Sequence, residues 1–496
     1  MRLGPLDLAI LAVYLIGITL FGIHFRRGQQ DIRDYFLGGR SAPWWALAFS
    51  IVATETSTLT IIGTPALAFS GNLGFLQLVF GYLVGRVVLT LVFLPHYFRG
   101  EFYTAYQLIE KRFGARMKSI AATTFLITRA LAEGVRIAAI AKVVSVAFGT
   151  DTRLSVVLVM GLTLLYTFEG GMKAVIWTDV IQLVLYLIGS AAAFVLLLGR
   201  IPGGWAEVTQ VAAASGHKFR VFDFTFSYPR TLTQTYTFWS GLIGGTFLTM
   251  ASHGTDQSIV QRILAARSEL QGKMALLASG GIILVQFSLF LVLGVMLYTF
   301  HQHTPLIGPG GDPDRIFPEF VVREMPAGLK GLVLAAIAAV AMSNASGSLN
   351  SMAASSVVDF YRLRGREEHP ARTLRLSRWM TLAWGFVVLG LGMVRWGPVL
   401  ETGLTIASIT FGSLLGLFLL GFLNPRATPN GALAGMLAGL GVLLYAKFET
   451  HLAWTWYVLV GATTTFLAGS LASLLNGGKK MQPQMNTDQH WNADDH

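Results

Sequence analysis

The chain has 496 residues, of which 53% are hydrophobic and 13% charged, with no cysteine and a formal net charge of +11. That balance excludes an ordinary soluble domain, and the missing cysteines exclude disulfide, thiolate and iron–sulfur chemistry. The positive charge does not point to nucleic acid, because Lys and Arg sit in short segments between apolar runs rather than along one stripe.

Apolar runs of the length an α-helix needs to cross a hydrocarbon core of roughly 30 Å recur along the chain, and they are too long for barrel strands. They predict about thirteen transmembrane helices, at 5–25, 42–70, 72–96, 117–148, 152–168, 174–200, 237–260, 273–300, 329–361, 375–396, 398–423, 430–447 and 453–476. The first run has only Arg2 ahead of it and no small-residue cleavage site behind it, so it reads as a retained helix rather than a signal peptide. Alternate connections are rich in Lys and Arg: Arg26, Arg27, Arg33 and Arg40, then Arg99 to Lys118, then Arg262, Arg267 and Lys273, then Arg362 to Arg378. The positive-inside rule places these in the cytoplasm, with the N-terminus outside and the C-terminus inside, as an odd number of spans requires. Residues from Gly477 onward read as a disordered cytoplasmic tail, and no catalytic domain is expected, so the chain is not read as an enzyme.

The second span is unusual. Ala53 to Thr60 reads Ala-Thr-Glu-Thr-Ser-Thr-Leu-Thr, placing five hydroxyls and a carboxylate at mid-membrane depth, with Gly63 and Pro65 close behind. Polar groups survive there where a broken helix lines a cavity. Hydroxyls bonding back to carbonyls of an unbroken helix would account for one or two such residues, not six. Arg86, beside Gly85 in the third span, is an unexplained mid-membrane cation. In the fourth span Arg129, Glu133 and Arg136 share a helix face, where they can neutralise one another or bind solute. Asp179, near the start of the sixth span, is either an interfacial charge or a cation ligand. The ninth span carries Ser343, Asn344, Ser346, Ser348, Asn350 and Ser351, with Ser343, Ser346 and Asn350 on one face. Such oxygens suit a hard monovalent cation, and small residues also suit close helix packing.

Four stretches resemble motifs of the sodium:solute symporters, the family of sodium-coupled sugar, proline, pantothenate and sialic acid carriers. They are Tyr166 to Gln182, containing Trp177-Thr178-Asp179; Gly254 to Arg262; Ala338 to Asn350; and Asn430-Gly431-Ala432 with Gly435. The resemblance runs over about residues 5–440 and implies an all-α integral membrane protein with an inverted five-helix repeat like that of the leucine transporter. One peripheral helix (1–30) would precede core helices 1–5 (42–200), an extracytoplasmic loop (201–236), core helices 6–10 (237–423), two peripheral helices (424–476) and the tail (477–496).

The same resemblance implies a sodium site made by the carbonyls of Ala53, Thr56 and Val340 with the side chains of Ser343 and Asn344, where Asn344 replaces the usual Ser or Thr. A second sodium would take Asp179, Ser343 and Ser346, although Gly347 lacks a hydroxyl that some two-sodium members have. Solute contacts map to Glu55, Ser57, Thr60, Arg136, Thr249 and Ser252. Arg136 falls near an arginine that sialic acid carriers use for the carboxylate; Glu55 and Arg136 could also pair with each other. Val79, Thr249 and Ser252 stand where galactose-type members carry other groups, which speaks against a galactose-type pocket. The implied function is sodium-coupled import of a small polar organic solute, be it a sugar, sugar acid, amino acid or carboxylate, by alternating access. The partners are then solute, sodium ion and lipid bilayer, in a bacterial-type cytoplasmic (inner) membrane, with the chain working as a monomer. A proton-coupled carrier and a membrane solute sensor are the alternatives.

Overall fold

The computed structural model describes residues 3–24, 37–99, 102, 104–166, 172–361 and 370–475. Among them the regular elements are helical, with one isolated bridge between Ala42 and Ala266. The long helices are α1 (Pro5–His24), α2 (Trp44–Glu55), α3 (Thr58–Ser70), α4 (Leu76–Val92), α5 (Ala115–Phe148), α6 (Thr152–Tyr166), α7 (Met172–Arg200) and α8 (Phe238–Gly254). After them come α9 (Gln257–Leu264), α10 (Glu269–His303), α11 (Leu329–Ser355), α12 (Pro370–Gly392), α13 (Val399–Leu423), α14 (Pro429–Glu449) and α15 (Tyr457–Leu475).

Among the described residues six helices are long and apolar enough to cross a membrane unaided, and the bent pair α2/α3 makes a seventh. Helix α5 has 34 residues, roughly 51 Å at 1.5 Å each, and buries Arg129 and Glu133 partway along its length. The helices fall on the runs marked by hydropathy, with two differences of substance. The span expected at 42–70 is two helices meeting at 64°, as its polar centre implied. The span expected at 237–260 is also two helices, α8 and α9, because Thr255 and Asp256 leave the helical conformation. Hydropathy did not disclose that second break. The connections 201–236 and 301–328 hold helices of their own, Gly204–Ala214 and Ile316–Glu324. The tail at 477–496 and Thr167 to Gly171 of the first motif lie outside the described residues.

Small residues set how closely these helices approach. A Cβ at Gly81 of α4 would stand 2.5 Å from the Gly241 carbonyl oxygen of α8, and one at Gly245 would stand 2.3 Å from that of Leu78. No side chain fits at either position, so α4 and α8 lie backbone to backbone. On the other side α5 packs against α11, α12 and α13, and α7 lies between α2 and α11.

Candidate ion and solute site

Helix α2 ends at Glu55 because Thr56 is extended (φ −79, ψ 105). Ser57 (φ −107, ψ 178) then starts α3, its hydroxyl accepting from the Leu59 N–H at 3.2 Å. A helix leaves its last carbonyls without intrahelical partners, so the oxygens around Ala53 to Thr56 are free to be claimed from elsewhere. The Thr56 hydroxyl is held aside by Gln286 of α10, whose Nε2 donates to it at 2.7 Å, and Tyr186 donates to the same amide's oxygen at 2.7 Å. The Thr56 carbonyl faces α11, where Asn344 Nδ2 lies 3.4 Å away. Turning that amide over puts an oxygen, not a nitrogen, beside the carbonyl. Ala53 and Val340 are buried on the two helices that meet here. Carbonyl and amide oxygens with no sulfur or imidazole form the donor set a hard cation takes. The side chains of Ser343 and Ser346 lie outside the described residues.

Glu55, at the end of α2, pairs with Arg86 of α4, which is 1% exposed. Arg86 also donates to Ser279 (3.1 Å) and to the Tyr82 carbonyl (3.2 Å). His253 Nε2 stands 3.2 Å from the Arg86 guanidinium and 3.3 Å from the Glu55 carboxylate, with Ser252 Oγ 2.9 Å from its Nδ1. The unexplained cation of the third span is thus one half of a buried ion pair, as a charge at that depth must be. Glu55 does not pair with Arg136, which bonds instead to Glu133 at 3.3 Å.

At the second break Asp256 caps α9 through the Ser258 N–H at 2.8 Å and faces Arg129 of α5 at 3.5 Å. Arg129 donates to Ser348 of α11 (2.9 Å), Ser348 donates to Glu133 (2.7 Å), and Arg136 closes the chain. The freed carbonyls of Gly254 and Thr255 accept from the hydroxyls of Tyr97 and Tyr106. Asp179 is buried and accepts from Ser50 at 2.6 Å and from Arg262 of α9 at 2.9 Å. Read from the sequence as an interfacial charge or a cation ligand, it has its charge met by an arginine.

All six residues mapped to solute contact, Glu55, Ser57, Thr60, Arg136, Thr249 and Ser252, line one cavity of about 140 Å³. Arg129, which the sequence left between pairing and binding, lines it too, as do Tyr82 and Asp256, which sequence reasoning missed. Asp256 stands inside the Gly254-Thr255-Asp256 motif, and that was its available signal. Leu400 at the start of α13 separates this cavity from a vestibule of about 720 Å³. A Cβ at Gly63 would stand 2.6 Å from that of Leu400, so α3 and α13 touch at this wall. Around the vestibule Tyr236 donates to Glu401 at 2.8 Å, and Lys142 bridges Asp312 (2.8 Å) and Asp314 (2.7 Å). Burial pushes the Asp314 carboxyl above its ordinary pKa despite the opposing lysine.

The sequence profile of the Sodium:solute symporter family matches residues 35–439. The Sodium/sialic acid symporter SiaT of Proteus mirabilis (strain HI4320) is 27% identical over 485 residues, 95% of either chain. The Sodium/iodide cotransporter of Homo sapiens is 31% identical over 90% of this chain and 70% of its own. The Sodium-coupled monocarboxylate transporter 1 of Homo sapiens is 30% identical over 88% of this chain and 72% of its own. Among solved structures, a sodium-coupled sialic acid symporter in a substrate-bound outward-open state superposes with a TM-score of 0.84 at 26% identity, covering 95% of this chain and 98% of that one. The nucleobase-cation-symport-1 transporter Mhp1, in a closed conformation, superposes at 0.55 with 13% identity over 90% of this chain and 95% of its own, a likeness of fold alone.

Proposed function

Because the chain belongs to the sodium:solute symporter family, we propose that it imports a small organic anion together with sodium by alternating access. It is an all-helical, multi-pass membrane carrier, not an enzyme, and sodium is its coupling ion. The observation that carries the anion is the guanidinium wall of the cavity. Arg129 and Arg136 both line it, and among the described residues the buried Arg136 Nε has no hydrogen-bond partner. Buried donors are normally satisfied, so an acceptor from the solute fits there. The similar carriers named for sialic acid, iodide and monocarboxylates handle anions, which supports the same reading. At about 140 Å³ the cavity is smaller than the roughly 300–1,000 Å³ of ordinary ligand pockets, favouring a short carboxylate over a bulky sugar acid. Thr60, Thr249 and Tyr82 line the same space and suit a hydroxyl on the solute.

Sodium sits between the α2/α3 break and α11, on the carbonyls of Ala53, Thr56 and Val340 and the side chains of Ser343 and Asn344. There it ties the α2/α3 break to α11 and organises Glu55, Ser57 and Thr60, so ion and solute each favour the other's binding. A second sodium at Asp179, Ser343 and Ser346 would have to displace Arg262, so one ion per solute is the preferred count. One sodium carried with one monovalent anion moves no net charge, so the ~2.3 kcal/mol per 100 mV cancels between them, and a tenfold sodium gradient supplies ~1.4 kcal/mol, enough for about tenfold accumulation.

Thirteen spans form the molecule in this reading, with α2–α7 and α8–α13 as inverted repeats, α1 before them and α14 and α15 after. A break early in each half, at 56–57 and 255–256, supports the symmetry. The N-terminus lies outside and the C-terminus inside a bacterial-type inner membrane, and the monomer is the working unit.

Uptake of radiolabelled lactate, sialic acid and neutral sugars into proteoliposomes tests the proposal. A short carboxylate should accumulate only under an inward sodium gradient, and Arg136→Gln should lose it. Sodium-driven uptake of a neutral sugar alone would remove the anion, and uptake driven by a pH gradient without sodium would make the chain a proton carrier.

A further inference from the structure

The connection between α7 and α8 carries aromatic residues at every second position, Phe222, Phe224, Phe226 and Tyr228, and all four are exposed, the last two at 77% and 88%. Nothing in the ion or solute site uses them. The residue between the first two, Asp223, is buried and does the opposite job. Its N–H donates to Gln77 at 2.8 Å and its carbonyl accepts from the Phe238 N–H at 2.8 Å, fixing the connection to the ends of both α4 and α8. Its carboxylate accepts from Thr225 and pairs with Arg220 (3.1 Å) and Arg230 (3.2 Å). One edge of this segment is therefore locked by polar contacts while the other presents a row of rings outward.

That row continues a surface already made for lipid. Phe80, Val84, Val87 and Leu91 follow one another down a single face of α4, and the last three are exposed apolar side chains on a membrane-spanning helix. Phe222 stacks on Phe80 at 5.7 Å, Phe224 stacks on Phe222 at 5.4 Å, and Phe224 and Phe226 reach Phe238 (4.8 Å) and Trp239 (5.6 Å) at the head of α8. Aromatic side chains are the residue type that settles at the boundary between headgroups and acyl chains. Arg220 and Arg230, half exposed and both paired with Asp223, flank the row.

We infer that the ladder Phe222, Phe224, Phe226 and Tyr228 docks into the interfacial zone of the bilayer leaflet on its own side, anchoring the joined heads of α4 and α8 to lipid. The chain has no cysteine, so single cysteines can be read without background. Nitroxide labels at Phe224→Cys, Phe226→Cys and Tyr228→Cys, compared with Thr225→Cys and Ser227→Cys, are measured in phosphatidylcholine–phosphatidylglycerol proteoliposomes by power saturation. The ladder positions should show a several-fold higher ratio of oxygen to nickel-chelate accessibility than the intervening ones. A second measurement leaves the chain unsubstituted: diazirine-bearing phosphatidylcholine should leave adducts on the peptide covering 222–228. Equal nickel-chelate access at all five sites with no adducts would overturn the inference. So would protection that grows with protein density alongside label–label dipolar broadening, which would assign the ladder to a second copy.

Discussion

At the α2/α3 break the Thr56 carbonyl accepts from the side-chain amide of Asn344 at 3.4 Å, whereas at the α8/α9 break the carbonyls of Gly254 and Thr255 accept from the hydroxyls of Tyr97 and Tyr106. The charges are arranged alike at the two breaks. Asp256 at the second break pairs with Arg129, and Glu55 at the first pairs with Arg86. The comparison teaches that a broken helix is not by itself an ion site. What matters is whether the chain has already supplied the cation and the hydrogen bonds that the freed groups demand. Each acid is met by an arginine, Glu55 by Arg86, Asp256 by Arg129 and Asp179 by Arg262; the first break differs in that the partner of its carbonyl is an amide, which can turn over to offer an oxygen.

Five substitutions would break or sharpen that contrast. The largest effect should come from Arg86→Met, which strands Glu55 in the interior; losing one partner of a buried pair costs ~3–5 kcal/mol, read as a lower melting temperature in detergent. The Glu55→Gln/Arg86→Met double variant should recover most of it, and a single variant as stable as the parent would deny the pair its anchoring role. Next, Asn344→Leu removes a donor at the first break and should raise the sodium concentration for half-maximal uptake by ~10-fold or more, equivalent to at least about 1.4 kcal/mol. Its counterpart at the second break, Tyr106→Phe, should cost ~1 kcal/mol of stability and leave that sodium requirement where it was. A raised requirement in Tyr106→Phe would mean the two breaks are not distinct.

Ser57→Ala deletes the cap that starts α3 and should lower stability by ~0.5–2 kcal/mol, seen as a small drop in melting temperature. The smallest effect lies at the far end of α3. Lys218 donates to the Ala68 (3.4 Å) and Phe69 carbonyls there, and burial holds its pKa down to about 8. The unfolded chain keeps this lysine protonated to higher pH, so its contribution to stability is complete only above the ordinary lysine range and is lost as pH falls through about 8. Lys218→Met should flatten the rise in melting temperature between about pH 8 and 10. An unchanged slope would place the titration elsewhere.

How much of this was legible beforehand follows from how local each signal is. The first break announced itself, because six polar side chains in eight residues cannot face lipid. The second did not, because its disturbance is two residues long and is repaired by tyrosines about 150 positions away in sequence. Candidate solute residues fell together on one cavity because the family motifs carry register along each helix. Their partners did not follow from spacing. Arg86 finds Glu55 on another helix, and Arg262 finds Asp179 across 83 positions, so only the packed fold says which charge meets which. Helix-face spacing did foretell the contact of Arg136 with Glu133, three residues apart in α5.

Equilibrium binding of radioactive sodium to the purified chain tests the central contrast most directly. One ion per chain is expected, lost in Asn344→Leu and retained in the Asp179→Asn/Arg262→Gln double variant. Two ions per chain, one of them lost in the double variant, or binding indifferent to Asn344→Leu, would contradict it.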